Sequence, residues 1–151
     1  MDIIYNIDTI SIYNFIFMDH SDILKKWIGK TCDYDNSFWV QCVDWTRQYC
    51  KEIGHPIKAF WGSAWNGWKT GCPFDNTWER VIKTPFNYPK EGDIIFWSEN
   101  RCKYGHVAVG NKLSNPMLLR YVDGNGTGHW DRITVRFWTY KNVVGWYTPK
   151  R

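Results

Sequence analysis

Hydrophobic periodicity changes at Pro89, and this change restricts the chain to few fold classes. Before Pro89, apolar residues recur at helical spacing; after it, short apolar segments are separated by Gly, Asn and Pro, as in strands joined by turns. The predicted strands are 93–98, 104–111, 117–122, 133–139 and 143–148. Helices followed by strands predict an α+β domain in which N-terminal helices pack on an antiparallel β-sheet.

Two helices are predicted in the first half of the chain. Asp19 or Ser21 caps the first, which ends at Lys30, and the second runs from 41 to 53 before a Gly and a Pro that stop it. A further short helix is predicted at 76–82. We take the start of the first predicted helix as the start of the folded domain.

The length of 151 residues fits one domain. We interpret residues 1–20 as an N-terminal extension and 21–151 as a single domain. The longest uncharged apolar stretch, 9–18, is far shorter than the ~20 residues that a membrane span needs. Asp2 and Asp8 stand where a secretory leader carries basic residues, so we expect no signal peptide. The net charge is only +4, and its basic residues are scattered, which argues against a nucleic-acid partner.

Cys42 is the cysteine whose position suggests reactivity. It lies in the first turn of the second predicted helix, where unpaired amides and the helix dipole favour the thiolate. Cys50 lies eight residues further along that helix, about 12 Å away at 1.5 Å per residue, too far to form a disulfide with Cys42. Cys42 is therefore a candidate nucleophile, and the alternative is a small buried apolar side chain.

His106 is the candidate base that such a nucleophile requires. Alternation along its strand places His106 and Ala108 on one sheet face and Val107 and Val109 on the other, while Gly105 leaves room for another segment to approach. The alternative is a hydrogen-bonded histidine on a half-buried strand.

The next strand ends at a possible orienting group for the imidazole. Asp123 and Asn125 are two residues apart, so both side chains share a face if the strand persists, and either can accept the imidazole N–H. Ordinary turn chemistry is the alternative explanation for this Asp-Gly-Asn-Gly segment.

Three segments in this order carry a family resemblance: QCVD at 41–44, PKEGDIIFW at 89–97 and GHVAV at 105–109. Together they resemble the CHAP family (cysteine, histidine-dependent amidohydrolases/peptidases), in particular the catalytic domains of bacteriophage endolysins, over about 31–149. The resemblance implies a papain-like fold, with Cys42 as nucleophile and His106 as base. An acidic residue and an amide two positions later match Asp123 and Asn125, and either one can contact the histidine.

The resemblance also implies a reaction and a substrate. The Cys42 thiolate attacks an amide carbonyl, and helix amides and the Gln41 side chain stabilise the oxyanion. His106 protonates the leaving amine, and water then hydrolyses the thioester, without a redox or nucleotide cofactor. The implied substrate is Gram-positive peptidoglycan, cleaved as by an N-acetylmuramoyl-L-alanine amidase or a peptide-bridge endopeptidase. We assign part of the groove wall to three tryptophans: Trp61, Trp65 and Trp68.

The loop before Cys42 carries oxygen ligands at positions 1, 3 and 5 of a twelve-residue stretch that begins at Asp33, a pattern suited to Ca²⁺. It departs from an EF-hand because Phe38 replaces the turn glycine and Asp44 replaces the final glutamate. Some CHAP endolysins resemble this stretch and bind calcium there. By that resemblance the ligands are Asp33, Asp35, Ser37, Trp39 and Asp44. The alternative is a solvated acidic loop that caps the helix.

Two alternatives to a cysteine hydrolase would also account for the cysteines and the aromatic residues. A zinc site could be built from Cys32, Cys50, Cys72 and Cys102, but no closely spaced pair supports it. A noncatalytic cell-wall glycan-binding module could use exposed rings, since 19% of the residues are aromatic. For the hydrolase, we expect synthesis in the host cytoplasm and action on the wall after lysis or with a separate export or wall-binding partner.

Overall fold

The computed structural model describes residues 19–37, 40–58, 62–126 and 132–150. Within them lie three helices, α1 (His20–Trp27), α2 (Cys42–Glu52) and α3 (Ala64–Thr70). The strands are β1 (Trp78–Ile82), β2 (Ile94–Trp97), β3 (His106–Gly110), β4 (Leu119–Asp123), β5 (Thr134–Trp138) and β6 (Val143–Pro149). The strands form one sheet in the order β1-β6-β2-β3-β4-β5, with all neighbours antiparallel. The predicted α+β class is confirmed.

The five strands predicted after Pro89 are confirmed as β2 to β6 with small shifts at their ends. The predicted helix at 76–82 is wrong, because Trp78–Ile82 is a strand that pairs with β6 along its whole length. The sequence also missed α3, which begins where the Ser63 hydroxyl accepts the Asn66 N–H and ends at Gly71 in a left-handed conformation. In β1, pairing with β6 outweighs the weak local helical preference of residues 76–82.

The helices pack on one face of the sheet, where α2 lies across β3 and β4. Trp45 of α2 is fully buried, and its indole N–H donates to the Val122 carbonyl at 3.1 Å. Val107 and Val109 belong to this core, whereas Ala108 belongs to a second cluster on the opposite face. The predicted alternation along β3 is therefore confirmed, and the start of α2 is held beside β3 and β4.

Helix α1 begins within the segment that the sequence assigned to an extension. Its first residue, His20, hydrogen-bonds the Tyr49 hydroxyl, and the two rings stack with centroids 5.8 Å apart. His20 is thus part of the folded domain, and Asp19 caps the same helix, while residues 1–18 of the predicted extension lie outside the described residues. Among the described helices, none has the length and apolar character required to cross a membrane.

Candidate active site

Cys42 is the first residue of α2. The preceding residue, Gln41, has extended backbone angles, and its N–H donates to the Asp44 carboxylate at 2.8 Å in a capping-box arrangement. This cap starts the helix at Cys42, so the half-buried thiol lies at the positive end of the helix dipole. Cys50, on the same helix, is fully buried, and burial raises the pKa of its thiol. Of these two thiols, only Cys42 has a reactive environment.

His106 opens β3 and is buried, with 5% of its surface exposed. Its Nε2 lies 2.7 Å from Asp123 Oδ2. The ring also hydrogen-bonds the Cys42 side chain, and Nδ1 is the ring nitrogen left to make this bond. Burial by itself lowers the pKa of His106, but the Cys42 thiolate and the Asp123 carboxylate raise it to about 9. The structure thus favours the imidazolium form of His106 near neutral pH, beside the Cys42 side chain.

Asp123 is the residue that binds the histidine. It closes β4 with no exposed surface, whereas Asn125 has a positive φ of 57° in the turn that follows. The two do not share a strand face, because the strand ends at Asp123. The sequence offered two readings of this segment, an orienting group for His106 or an ordinary turn. The structure shows both: Asp123 contacts His106, and Asn125 has the left-handed conformation typical of turns.

Arg136 is a site residue that sequence reasoning missed. Its Nε donates to the second oxygen of Asp123, Oδ1, at 2.7 Å. The β4–β5 register pairs Arg136 with Tyr121, so Arg136 lies diagonally across from Asp123 on the same face. Only the pairing register brings these two residues together, and the sequence pattern gives no register.

The tryptophans assigned to the groove wall have different environments. Trp65 is half-buried, and its backbone N–H donates at 3.0 Å to the carbonyl of Tyr104, two residues before His106. A Cβ at Gly105 would lie 2.8 Å from the Trp65 Cβ, which confirms that glycine permits a close approach here. Trp68 is a correction: it is 5% exposed and packs on aromatic rings of the core, so it does not line a groove. Trp61 lies outside the described residues.

One exposed ring beside this contact was not singled out by the sequence. The Tyr104 side chain is 60% exposed, two residues before His106. Its ring lies under the Lys103 ammonium, 5.3 Å from the ring centroid. Tyr104 and the half-buried Trp65 thus lie at the segment that leads into His106.

The acidic loop and the start of α2 bring three carboxylates together. One oxygen from each of Asp33, Asp35 and Asp44 lies within 4.8 Å of the others. Burial, together with the charges of Asp35 and Asp33, raises the pKa of Asp44 to about 6, although the hydrogen bond from Gln41 lowers it. Arg47 Nη1 offsets part of this charge at 2.7 Å from Asp35.

The remaining predicted ligands are only partly described. The Ser37 N–H donates to Asp35 Oδ1 at 3.1 Å, which folds the loop around this carboxylate. Trp39 lies outside the described residues. The donor set of three carboxylates, one of them buried, suits a hard cation such as Ca²⁺.

The chain matches one known protein family. The CHAP domain family model matches residues 32–125, a range that holds Cys42, His106 and Asp123. No curated protein sequence matches the chain.

Solved structures show the same fold. The endolysin LysIME-EF1 superposes with a TM-score of 0.71 and 21% identity over 87% of this chain and 64% of that one. Ly7917 superposes with a TM-score of 0.57 and 16% identity over 87% and 63%, and its complex with the hydrolysing product of MDP with 0.54 and 18% over 86% and 61%. The chain thus spans less than two thirds of the length of these proteins.

Proposed function

The chain belongs to the CHAP family, and from this premise we propose that it is a peptidoglycan hydrolase that cleaves amide bonds with Cys42 as nucleophile. The observation that carries the proposal is the continuous hydrogen-bonded line from Cys42 through His106 to the buried Asp123. This line has the three parts of a nucleophilic site, namely a thiol, a base and a group that orients the base. Two of the superposed structures support a cell-wall substrate: LysIME-EF1 is an endolysin, and Ly7917 was solved with the hydrolysing product of MDP.

The proposed reaction has two halves. Cys42 Sγ bonds to the amide carbonyl carbon, and the negative oxygen of the tetrahedral intermediate is placed near the N-terminal amides of α2, with the Gln41 side chain as a further donor. The C–N bond breaks as His106 gives its Nδ1 proton to the leaving amine. His106 then takes a proton from water, whose oxygen attacks the thioester and releases the acid and the thiol. Asp123 holds the imidazole in the tautomer that this sequence requires.

The proposal is tested on purified Gram-positive sacculi, followed by mass spectrometry of the released fragments. We expect new peptide ends that the Cys42→Ser variant does not release. New N-termini on stem or bridge peptides would identify an endopeptidase, and free lactyl groups would identify an N-acetylmuramoyl-L-alanine amidase. Release of no fragments from any wall type would overturn the proposed function.

We also propose that Asp33, Asp35 and Asp44 hold a calcium ion, with Ser37 and Trp39 completing the shell. The ion would offset the charge of three clustered carboxylates and brace the loop that enters α2. Calcium at about 100 times its dissociation constant stabilises a protein by ~2.7 kcal/mol. For a domain of this size, that corresponds to a melting temperature higher by about 5–10 °C.

The expected result is a melting temperature that falls by this amount in excess chelator and recovers when Ca²⁺ is restored. Mg²⁺ should restore less, because it requires a smaller octahedral shell than three clustered carboxylates provide. An Asp33→Asn, Asp35→Asn double variant should show no response to the chelator. A melting temperature that the chelator leaves unchanged would contradict the calcium site.

A further inference from the structure

We infer that Arg136 is a positioning residue of the active site, holding Asp123 in the orientation in which it binds His106. The inference rests on the proposed function and deepens it. Arg136 lies on β5, beyond the residues 32–125 that match the family model. It is therefore a residue of this site that the family match does not cover.

The contacts on the two oxygens of Asp123 carry the inference. Oδ1 accepts from Arg136 Nε and Oδ2 faces His106 Nε2, both at 2.7 Å. The side chain of Asp123 has no exposed surface, so water does not compete for these oxygens. A carboxylate bound on one side by a planar guanidinium cannot rotate without losing a charge-assisted bond. The Arg136 contact thus fixes the plane of the carboxylate that orients the imidazole.

The charges along this line alternate. They are the His106 imidazolium, the Asp123 carboxylate and the Arg136 guanidinium. A buried carboxylate that loses one of its cationic partners keeps its desolvation cost with less compensation. Removal of Arg136 therefore leaves Asp123 free to turn toward other donors or toward solvent, and His106 loses its fixed orientation.

Gly126 provides an independent observation on the same contact. A Cβ built at this position would lie 2.4 Å from Asp123 Oδ2 and 2.5 Å from Arg136 Nε. Both distances are shorter than van der Waals contact, so no side chain fits here without moving the carboxylate and the guanidinium apart. Gly126→Ala should therefore disturb the contact while both charges remain in the protein.

The test compares Arg136→Met, Arg136→Lys and Gly126→Ala on soluble peptidoglycan fragments. Misplacement of a catalytic group by 1 Å can cost ~10²-fold in rate, so Arg136→Met should lower kcat by about 10- to 100-fold. We expect KM to change by less than about twofold, because Arg136 acts on Asp123 and not on substrate. Arg136→Lys should recover much of the loss, since it keeps a cationic donor. Arg120→Met, which removes a half-buried arginine from neighbouring β4, is the matched control and should leave kcat unchanged.

A second readout does not depend on turnover. The proton on His106 Nε2, hydrogen-bonded to a buried carboxylate, should give a proton resonance downfield of the backbone amides in the unmodified protein. Arg136→Met and Gly126→Ala should shift or broaden it, and Arg120→Met should not. If the unmodified protein releases no wall fragments, the proposed function fails, but this resonance still tests the positioning role.

An unchanged kcat and resonance in Arg136→Met would overturn the inference. Equal losses in Arg136→Met and Arg136→Lys would also overturn it. The lysine variant keeps the positive charge, so equal losses would mean that the positive charge beside Asp123 does not matter and that only the shape of the arginine side chain does. Should Arg136→Met fail to fold, the decision passes to Gly126→Ala. A normal kcat and resonance in Gly126→Ala would then contradict the role.

Discussion

Replacing Cys42 with Ser is expected to reduce the release of peptidoglycan fragments by at least ~10⁴-fold, in the range seen when a catalytic nucleophile is removed. The change exchanges one atom of a half-buried side chain, so thermal unfolding should be almost unaffected. A serine hydroxyl is a much weaker nucleophile than a cysteine thiol, so the variant lacks the group that attacks the amide. Fragment release by mass spectrometry and a melting curve on the same preparation measure both effects.

Cys72→Ser is the matched control, because Cys72 is another half-buried free thiol and lies between α3 and β1. It should release fragments at the unmodified rate. The same pair of variants separates a hydrolase from a noncatalytic glycan-binding module. A hydrolase loses turnover but retains affinity for sacculi in Cys42→Ser, whereas a binding module shows no turnover even before substitution. Normal turnover in Cys42→Ser would assign the nucleophile elsewhere.

Replacing Asp123 with Ala should lower kcat by on the order of 10⁴-fold, as for the orienting acid of other nucleophilic triads. The loss has two causes. His106 no longer has an acceptor at Nε2, so its ring and tautomer are not fixed, and the imidazolium loses a counter-charge. Asn125→Ala is the comparison, since the sequence offered both residues as partners of His106. A larger loss in Asn125→Ala than in Asp123→Ala would reverse the assignment.

The pH profile provides a sharper measure of the same contact. In the unmodified protein His106 must be protonated to give its proton to the leaving amine, so activity should fall as pH rises through about 9. Asp123→Ala removes one of the interactions that raise this pKa, and the alkaline limit should therefore move to lower pH. An alkaline limit that stays in place after this substitution would contradict the role of Asp123.

The same pKa has a consequence for stability. It is raised from 6.5 to about 9 in the folded chain, so the folded state binds this proton more tightly than the unfolded state. The resulting stabilisation is fully present below pH 6.5 and is lost as pH rises to about 9. In Asp123→Ala, melting temperature should therefore depend less on pH across this window.

Much of the fold was readable from local pattern. The strands β2 to β6 and helix α2 follow from hydrophobic spacing and from stop signals that act within a few residues. The stretch from 62 to 82 was not readable, because it mixes tryptophans with glycines and has no clear period. Its strand β1 exists through pairing with β6, a partner more than sixty residues away.

The sequence by itself determined which chemical groups the site contains: a thiol at a helix start, a strand histidine, and an acid and an amide after the next strand. Only the tertiary structure decided how they meet. The β3–β4 pairing brings Asp123 within hydrogen-bond distance of His106, and the packing of α2 brings Cys42 to the same ring. The β4–β5 register brings Arg136 to Asp123. Aromatic packing buries Trp68 in the core. The reason is that a residue's chemical type is local, whereas a contact between strands depends on register and on the packing of distant segments.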